Sequence, residues 1–411
     1  MQKQRPLAPF LSFHNLPSTN KASILKHSSQ NHPTSFSDVF AVAFGHFTHD
    51  VYSAFLAPLL PILQERLGIG YALTGNLSVF TQIPSLLNPF IGYLADRVSL
   101  RYFVIFAPAI TATLMSSLGL TSNYLSLALL LLAAGVSVAA FHAPAGAMIG
   151  ELAGKRVGAG MSIFMAAGEL ARTVGPMFAV AGVAWFGLEG LWRLAFVGWA
   201  VTGILFWRLH HIEARPRPPE SDAWSRLKPR LLRIFPFLAW LVLGRVSMQA
   251  ALTTYLPIFM KDERGLSVTW AAAALTILEA AGFVGALISG SLSDRIGRHR
   301  MLFMLLLVAP LLMLIFLFTS GWLTILVLIA LGLTAISLQP VILALVQDLF
   351  PDNRALANGI YMALSFALRA VGIWIIGLTA DTLGLTPAFV LSALVGLLAL
   401  PSIFFIPKSA Y

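Results

Sequence analysis

About twelve apolar stretches, each roughly 20 or more residues long, follow one another from Phe36 to Ile406. At about 1.5 Å per helical residue, each is long enough to cross a hydrocarbon layer about 30 Å thick. They do not alternate, and they do not stop at half that length as the strands of a membrane barrel do. Composition agrees, because 58% of the 411 residues are hydrophobic and only 11% are charged, too few polar groups to cover a water-facing surface. The pattern predicts an all-α integral membrane protein with helices at 36–63, 70–96, 101–120, 124–152, 156–185, 190–210, 233–260, 267–294, 299–319, 322–349, 354–382 and 386–406.

The formal charge of +10 would suit a nucleic-acid partner, but the basic residues sit in short loops between apolar stretches and form no patch on a soluble domain. Nucleic acid is therefore not an expected partner. Twenty Lys and Arg fall on the side of residues 1–35, the loops near 97–101, 155–156, 208–233, 295–300 and 354, and Lys408. The other side carries Arg66, Arg193, Lys261 and Arg264. The positive-inside bias then places both termini in the cytoplasm, which requires an even number of helices. Residues 1–35 are rich in Ser, Asn, Gln, His and Pro and lack the apolar core of a signal peptide, so they read as a disordered cytoplasmic tail. The Pro-rich, charged segment 211–232 reads as a cytoplasmic linker between a bundle at 36–210 and a second at 233–406, with 407–411 a short cytoplasmic tail. The chain contains no cysteine, which excludes disulfides, thiolate metal sites and cysteine nucleophiles.

The chain also repeats itself. Gly92-Tyr-Leu-Ala-Asp96-Arg97 returns as Gly290-Ser-Leu-Ser-Asp294-Arg295. Pro144 and Glu151 match Pro340 and Asp348, Arg156 matches Arg354, and Arg172-Thr-Val-Gly175 matches Arg369-Ala-Val-Gly372. Helix one aligns with helix seven through Gly45/Gly244 and Pro58/Pro257. Near-constant offsets over several helices indicate a duplication. Six helices return the chain to the side it started from, so the two pseudo-symmetric six-helix bundles share an orientation, with a substrate site expected at their interface near the bilayer midplane.

These residues resemble the major facilitator superfamily: twelve helices as six and six, a long central loop, and a Gly-x-Leu-x-Asp-Arg-x-Gly-Arg-x-Arg signature after helices two and eight. The second copy, Gly290 to Arg300, is close to complete, whereas the first has Ser99-Leu100 where Gly-Arg is usual. Within that superfamily, Gly45-His-Phe-Thr-His49-Asp50 through Leu59-Leu-Pro61, Phe141-His142-Ala-Pro144, and Gly160-Met-Ser-Ile-Phe164 through Gly175-Pro176 resemble the fosmidomycin-resistance branch of efflux transporters. The resemblance implies a multi-pass protein of a bacterial-type inner membrane. It also implies that Asp96, Arg97, Asp294 and Arg295 gate the cytoplasmic side, with Glu151 and Asp348 in the same latch.

Ionisable side chains at mid-helix depth point most directly to chemistry, since each costs roughly 2.5 to 3.5 kcal/mol to insert and has to face a cavity or a partner. They are Asp50, Glu169, Glu279, Arg172, Arg245 and Arg369, joined by His46, His49 and His142. His46, His49, Asp50 and Ser53 recur at helical spacing on one face, and a carboxylate beside histidines can exchange protons near neutral pH. The expected proton-coupling residues are thus Asp50, His49, His46, Glu169 and Glu279. The expected substrate-binding residues are Arg172, Arg245, Arg369, Gln82, His142, Gln249 and Tyr361, with Tyr255, Trp374, Phe55 and Phe164 as further aromatic lining. The plainer reading pairs Glu169 with Arg172 and Arg245 with Glu279 as structural ion pairs. No metal spacing, phosphate-binding loop or nucleophile motif occurs in a suitable context, so no metal, cofactor or enzymatic activity is expected. The expected partners are a small-molecule substrate, protons and the lipid bilayer, with the chain acting as a monomer.

Taken together, these features predict a proton-coupled secondary active transporter that exports a small organic molecule or drug by alternating access, as an antiporter. Three arginines at mid-helix depth keep a rival reading open, proton-coupled symport of a small organic anion, because protonating an acid frees its arginine partner for an anion. A non-transporting membrane receptor on the same scaffold is the third alternative.

Overall fold

The computed structural model describes residues 36–88, 90–91, 101–153, 156–212, 223–350 and 354–407. Among these the chain is helical throughout, with no strand. The twelve helices are α1 (Phe36–Ser53 and Leu56–Leu67), α2 (Tyr71–Gln82, tightening into Ile83–Leu87), α3 (Arg101–Ser116), α4 (Tyr124–Leu152), α5 (Val157–Gly190) and α6 (Ala195–Leu209), followed by α7 (Ala223–Ala250 and Leu256–Asp262), α8 (Val268–Ile296), α9 (Arg298–Phe318), α10 (Trp322–Leu331 and Leu338–Leu349), α11 (Arg354–Leu383) and α12 (Leu385–Leu398 and Ser402–Phe405). Among the described residues nine apolar helical runs are long enough to cross a membrane, and one of them, Ala159–Leu209, holds both α5 and α6. The break between those two follows Gly187, whose φ of 72° falls in the left-handed region that suits glycine.

The sequence duplication is a duplication of packing. In the first bundle α1 packs on α5, α2 on α4, α3 on α6 and α1 on α6; in the second α7 packs on α11, α8 on α10, α9 on α12 and α7 on α12. Matched prolines interrupt matched helices. Pro58 lacks the N–H that would reach Ala54, and α1 breaks between Ser53 and Leu56. Pro257 likewise leaves the carbonyl of Thr253 without its helical donor, and α7 widens into a π-helical turn over Ala251–Tyr255. A second π-helical turn, Gly332–Ile336, ends four residues before Pro340 in α10.

The bundles meet along α2–α11, α5–α8 and the end of α1 against α7 and α8. Several polar bonds join them on the side opposite Phe36. There the Asp381 carboxylate of α11 caps α2, accepting from the backbone N–H of Tyr71 at 2.5 Å and of Ala72 at 3.0 Å. Lys261 Nζ donates to Glu65 at 2.6 Å and the Tyr71 hydroxyl to Asp262 at 3.1 Å. Tyr255, fully buried, donates to the carbonyls of Ile373 at 2.8 Å and Tyr71 at 3.3 Å. Gly377 permits this approach, since a Cβ there would stand 2.6 Å from both Ala72 Cα and the Tyr255 hydroxyl.

Asp96, Arg97, the 1–35 tail and residues 213–222 of the expected 211–232 linker lie outside the described residues, and residues 223–232 of that linker instead form the start of α7. Of the other gating candidates, Asp294 and Asp348 both pair with Arg298, the first residue of α9, with Asp348 at 3.2 Å. Arg295 points to solvent, and Glu151 is half-buried at the end of α4. The Arg298-centred cluster joins α8, α9 and α10 within one bundle.

Candidate proton and substrate site

Midway along α1, His46 and Asp50 lie one helical turn apart and are both buried. His142 of α4 completes a triad. His46 Nε2 stands 3.3 Å from one Asp50 carboxylate oxygen, and His142 Nε2 stands 3.5 Å from the other. The opposite nitrogens are anchored: His46 Nδ1 bonds the carbonyl of Phe164 at 2.8 Å, and His142 Nδ1 bonds that of Val138 at 2.9 Å. A carbonyl only accepts, so each Nδ1 carries a hydrogen and each neutral ring turns its lone pair toward the carboxylate. Two lone pairs facing an anion repel it, and a proton on either Nε2 converts repulsion into a charge-assisted hydrogen bond. The cluster is therefore built to take up a cation.

Its walls are rigid. The His46 ring stacks on Phe164 with centroids 4.0 Å apart, and His49 stacks on Phe141 at 4.4 Å. His49 does not touch the carboxylate; its Nδ1 meets Thr111 Oγ1 at 3.0 Å, which in turn meets Ser137 at 2.8 Å. Gly168 of α5 lies against the triad, since a Cβ there would fall 2.5 Å from His46 Cε1 and 3.2 Å from Asp50. Of the three side chains only His142 is partly open, at 38% exposure, which makes it the route in. One ligand atom from each of the three lies within 4.8 Å of the others, so the group can also hold a metal ion. A proton needs nothing beyond these atoms, whereas a divalent ion would complete its shell from water.

From the triad a chain of charges crosses to the second bundle. Arg172 of α5 pairs with Glu169 on its own helix, and it lies within electrostatic reach of Asp50 and of Glu279 on α8. Glu279 is buried, feels both Arg172 and Arg369, and makes no ion pair with any described residue. Arg245 of α7 does not pair with Glu279, as the sequence had suggested. Its Nη1 donates instead to the amide oxygens of Gln249 at 2.7 Å and Gln339 at 3.3 Å. Arg369 of α11 donates to the Thr253 hydroxyl at 2.8 Å. Thr253 sits in the π-helical turn that Pro257 imposes.

The remaining sequence candidates divide. Tyr361 is buried on α11 with its hydroxyl unpartnered among the described residues. Gln82 is half-buried on α2 and donates to the carbonyl of Ser78 at 2.9 Å. Phe164 lines the triad, Phe55 is core, Tyr255 belongs to the contact between bundles, and Trp374 is about half exposed on α11. Thr111, Ser137, Thr253 and Gln339 were not singled out by sequence. Hydroxyls and amides are ordinary in apolar helices, and only Gln339, next to mid-helix Pro340, sat beside a visible irregularity.

Comparison with known proteins agrees with this architecture. Over 382 residues the chain is 24% identical to the fosmidomycin resistance protein of Escherichia coli (strain K12), covering 90% of this chain and 93% of that one. It is 22% identical over 368 residues to the MFS-type transporter YfnC of Bacillus subtilis (strain 168), covering 86% and 89%. Its fold matches a bacterial homologue of the human lysosomal transporter Spinster in an inward-facing, occupied conformation, with a TM-score of 0.76 at 16% identity over 92% of this chain and 98% of that one. It also matches a D-xylose–proton symporter, with a TM-score of 0.73 at 16% identity over 91% and 98%. The Major Facilitator Superfamily profile matches residues 42–335 and 280–410, and the chain belongs to that family of multi-pass membrane transporters.

Proposed function

We propose that this transporter is a proton-coupled exporter of small organic molecules, in which protonation of the His46–Asp50–His142 triad is linked to alternating exposure of a site between the bundles. The observation that carries this reading is the buried carboxylate facing two histidine nitrogens whose partners leave them only lone pairs to offer. Such a group binds a proton with no other reorganisation. If the positive-inside bias sets the orientation, the contact around Asp381 and Lys261 closes the outer side, and this conformer is inward-facing. The similarity to a resistance protein supports export as the direction. Arg245 and Arg369, which have no carboxylate partner among the described residues, favour a second reading, symport of an anion with the proton.

The test is flux in liposomes under an imposed pH gradient. Asp50→Asn removes the charge and nearly preserves shape, so it is expected to abolish gradient-driven transport while counterflow exchange of cargo persists. Undiminished gradient-driven flux by Asp50→Asn would refute the assignment. Cargo moving in the same direction as protons would select symport over antiport.

A further inference from the structure

The second bundle holds donors that nothing in the described structure satisfies. On α11, Tyr361, Ser365 and Arg369 recur every four residues, which places them on one helical face. The Tyr361 hydroxyl, the Ser365 hydroxyl and Arg369 Nε are each buried without a hydrogen-bond partner among the described residues, and so is Arg245 Nε on the adjoining α7. Tyr361, Ser365 and Arg245 are all more than nine-tenths buried. The groups that do contact the two guanidiniums, the Gln249 and Gln339 amides and the Thr253 hydroxyl, are neutral. Arg245 and Arg369 are close enough to repel one another. Among the described residues the acid within reach of Arg369 is Glu279, which is shared with Arg172 and pairs with neither. One buried and one half-buried cation, each with an idle, buried Nε–H and flanked by two idle hydroxyls, lack an acceptor that carries negative charge.

We propose that Arg245 and Arg369, with Tyr361 and Ser365, form an oxyanion subsite in the second bundle that holds the carboxylate or phosphoryl head of an anionic cargo. This deepens the transport reading and rests on it for the word cargo; the binding itself does not depend on proton coupling. The planar guanidinium forks suit either head group, and the phosphate of an anionic lipid offers the same chemistry as a soluble anion.

Equilibrium binding to the purified full-length protein tests this, with benzoate and phenylphosphonate as anionic probes and benzamide and benzyltrimethylammonium as neutral and cationic ones. The wild type is expected to bind the two anions and to bind benzamide and the cation far more weakly. Arg369→Gln and Arg245→Gln should each weaken the anions about tenfold or more, with Arg→Lys falling between. Tyr361→Phe and Ser365→Ala, which delete one donor without disturbing charge, should each cost about threefold or more, so the test survives if an arginine variant fails to fold. Anion affinities equal to wild type in well-folded Arg369→Gln and Ser365→Ala, or tighter binding of the cation than of benzoate, would overturn the proposal. Repeating the titration in nanodiscs of zwitterionic lipid and of lipid containing phosphatidylglycerol separates the sources. Benzoate binding lost only with phosphatidylglycerol assigns the subsite to lipid headgroups and overturns its assignment to cargo. Anion affinity in Arg369→Gln and Ser365→Ala is read at equilibrium with no pH gradient, and loss of coupling in Asp50→Asn is read as gradient-driven flux, so failure of the anion reading and failure of the proton reading give different results.

Discussion

Gly168→Ala tests the triad through a single methyl group. The new Cβ would sit 2.5 Å from His46 Cε1 and 2.8 Å from His46 Nε2, against a comfortable separation of about 3.5 Å or more. The ring would have to retreat about 1 Å, and it has nowhere to go. Phe164 is stacked on it at 4.0 Å, Phe141 lies at 5.5 Å, and its Nδ1 is held by the Phe164 carbonyl. The strain is of the overpacking kind, about 1 to 3 kcal/mol, and its relief separates His46 Nε2 from Asp50. We expect Gly168→Ala to lower the midpoint of SDS-induced unfolding and to cut gradient-driven flux. In a His46→Ala background the same substitution should be nearly neutral for stability, so a double-mutant cycle returns a coupling of about 1 to 3 kcal/mol. Wild-type stability and flux in Gly168→Ala, or an unchanged cost in the His46→Ala background, would refute the packing argument.

Two further outcomes follow from the contact between bundles and from the central acid. Asp381→Ala removes a cap that is worth about 1 kcal/mol, so the closed side should open about fivefold more often; spin labels at exposed Ser122 and Glu263 report this as a longer distance distribution, and an unchanged distribution counts against Asp381 as a latch. Glu279→Gln deletes the negative charge nearest Arg369, and the affinity for benzoate should rise a few-fold while benzamide is unaffected; a fall in benzoate affinity would show that Glu279 orders the arginines instead of competing with the anion.

The lengths and spacing of the apolar stretches were enough to read the helix content, because a membrane solvent forces backbone groups to pair within each helix, and the family was legible from the Gly290–Arg300 signature and its first copy. The same pattern could not show how the helices are broken. Pro58 and Pro257 were visible as repeat partners, yet their effects differ, an interruption after Ser53 in one helix and a π-helical turn in the other. The His46–Asp50 spacing was legible because a helix fixes it, and His142 could be suspected but not positioned, since only tertiary packing brings α4 to α1. Pairing failed where spacing carried no information. Arg245 and Glu279 balance in charge, but the turn at Ala251–Tyr255 and the neighbouring Pro340 bring Thr253 and Gln339 toward the arginines instead.

The Gly45/Gly244 and Pro58/Pro257 alignment places His46 opposite Arg245 and Asp50 opposite Gln249. The same one-turn contact is thus present in both bundles, as histidine to carboxylate at 3.3 Å in one and guanidinium to amide at 2.7 Å in the other. One copy can gain or lose a proton; the other keeps a fixed positive charge, because arginine does not deprotonate in proteins. Arg172 and Arg369 diverge in the same sense, since Arg172 keeps Glu169 beside it and Arg369 has Phe366 at the matching place. The duplicated scaffold thus sets the histidine–carboxylate triad of the first bundle against two arginines in the second that have no carboxylate partner among the described residues. A bound anion would lie nearest the fixed charges, and an inside-negative potential would favour its expulsion by about 2.3 kcal/mol per charge for each 100 mV. If the cargo is an anion and the direction is export, as proposed, the voltage itself would help drive it, and the proton site would have only to bias which way the cavity opens.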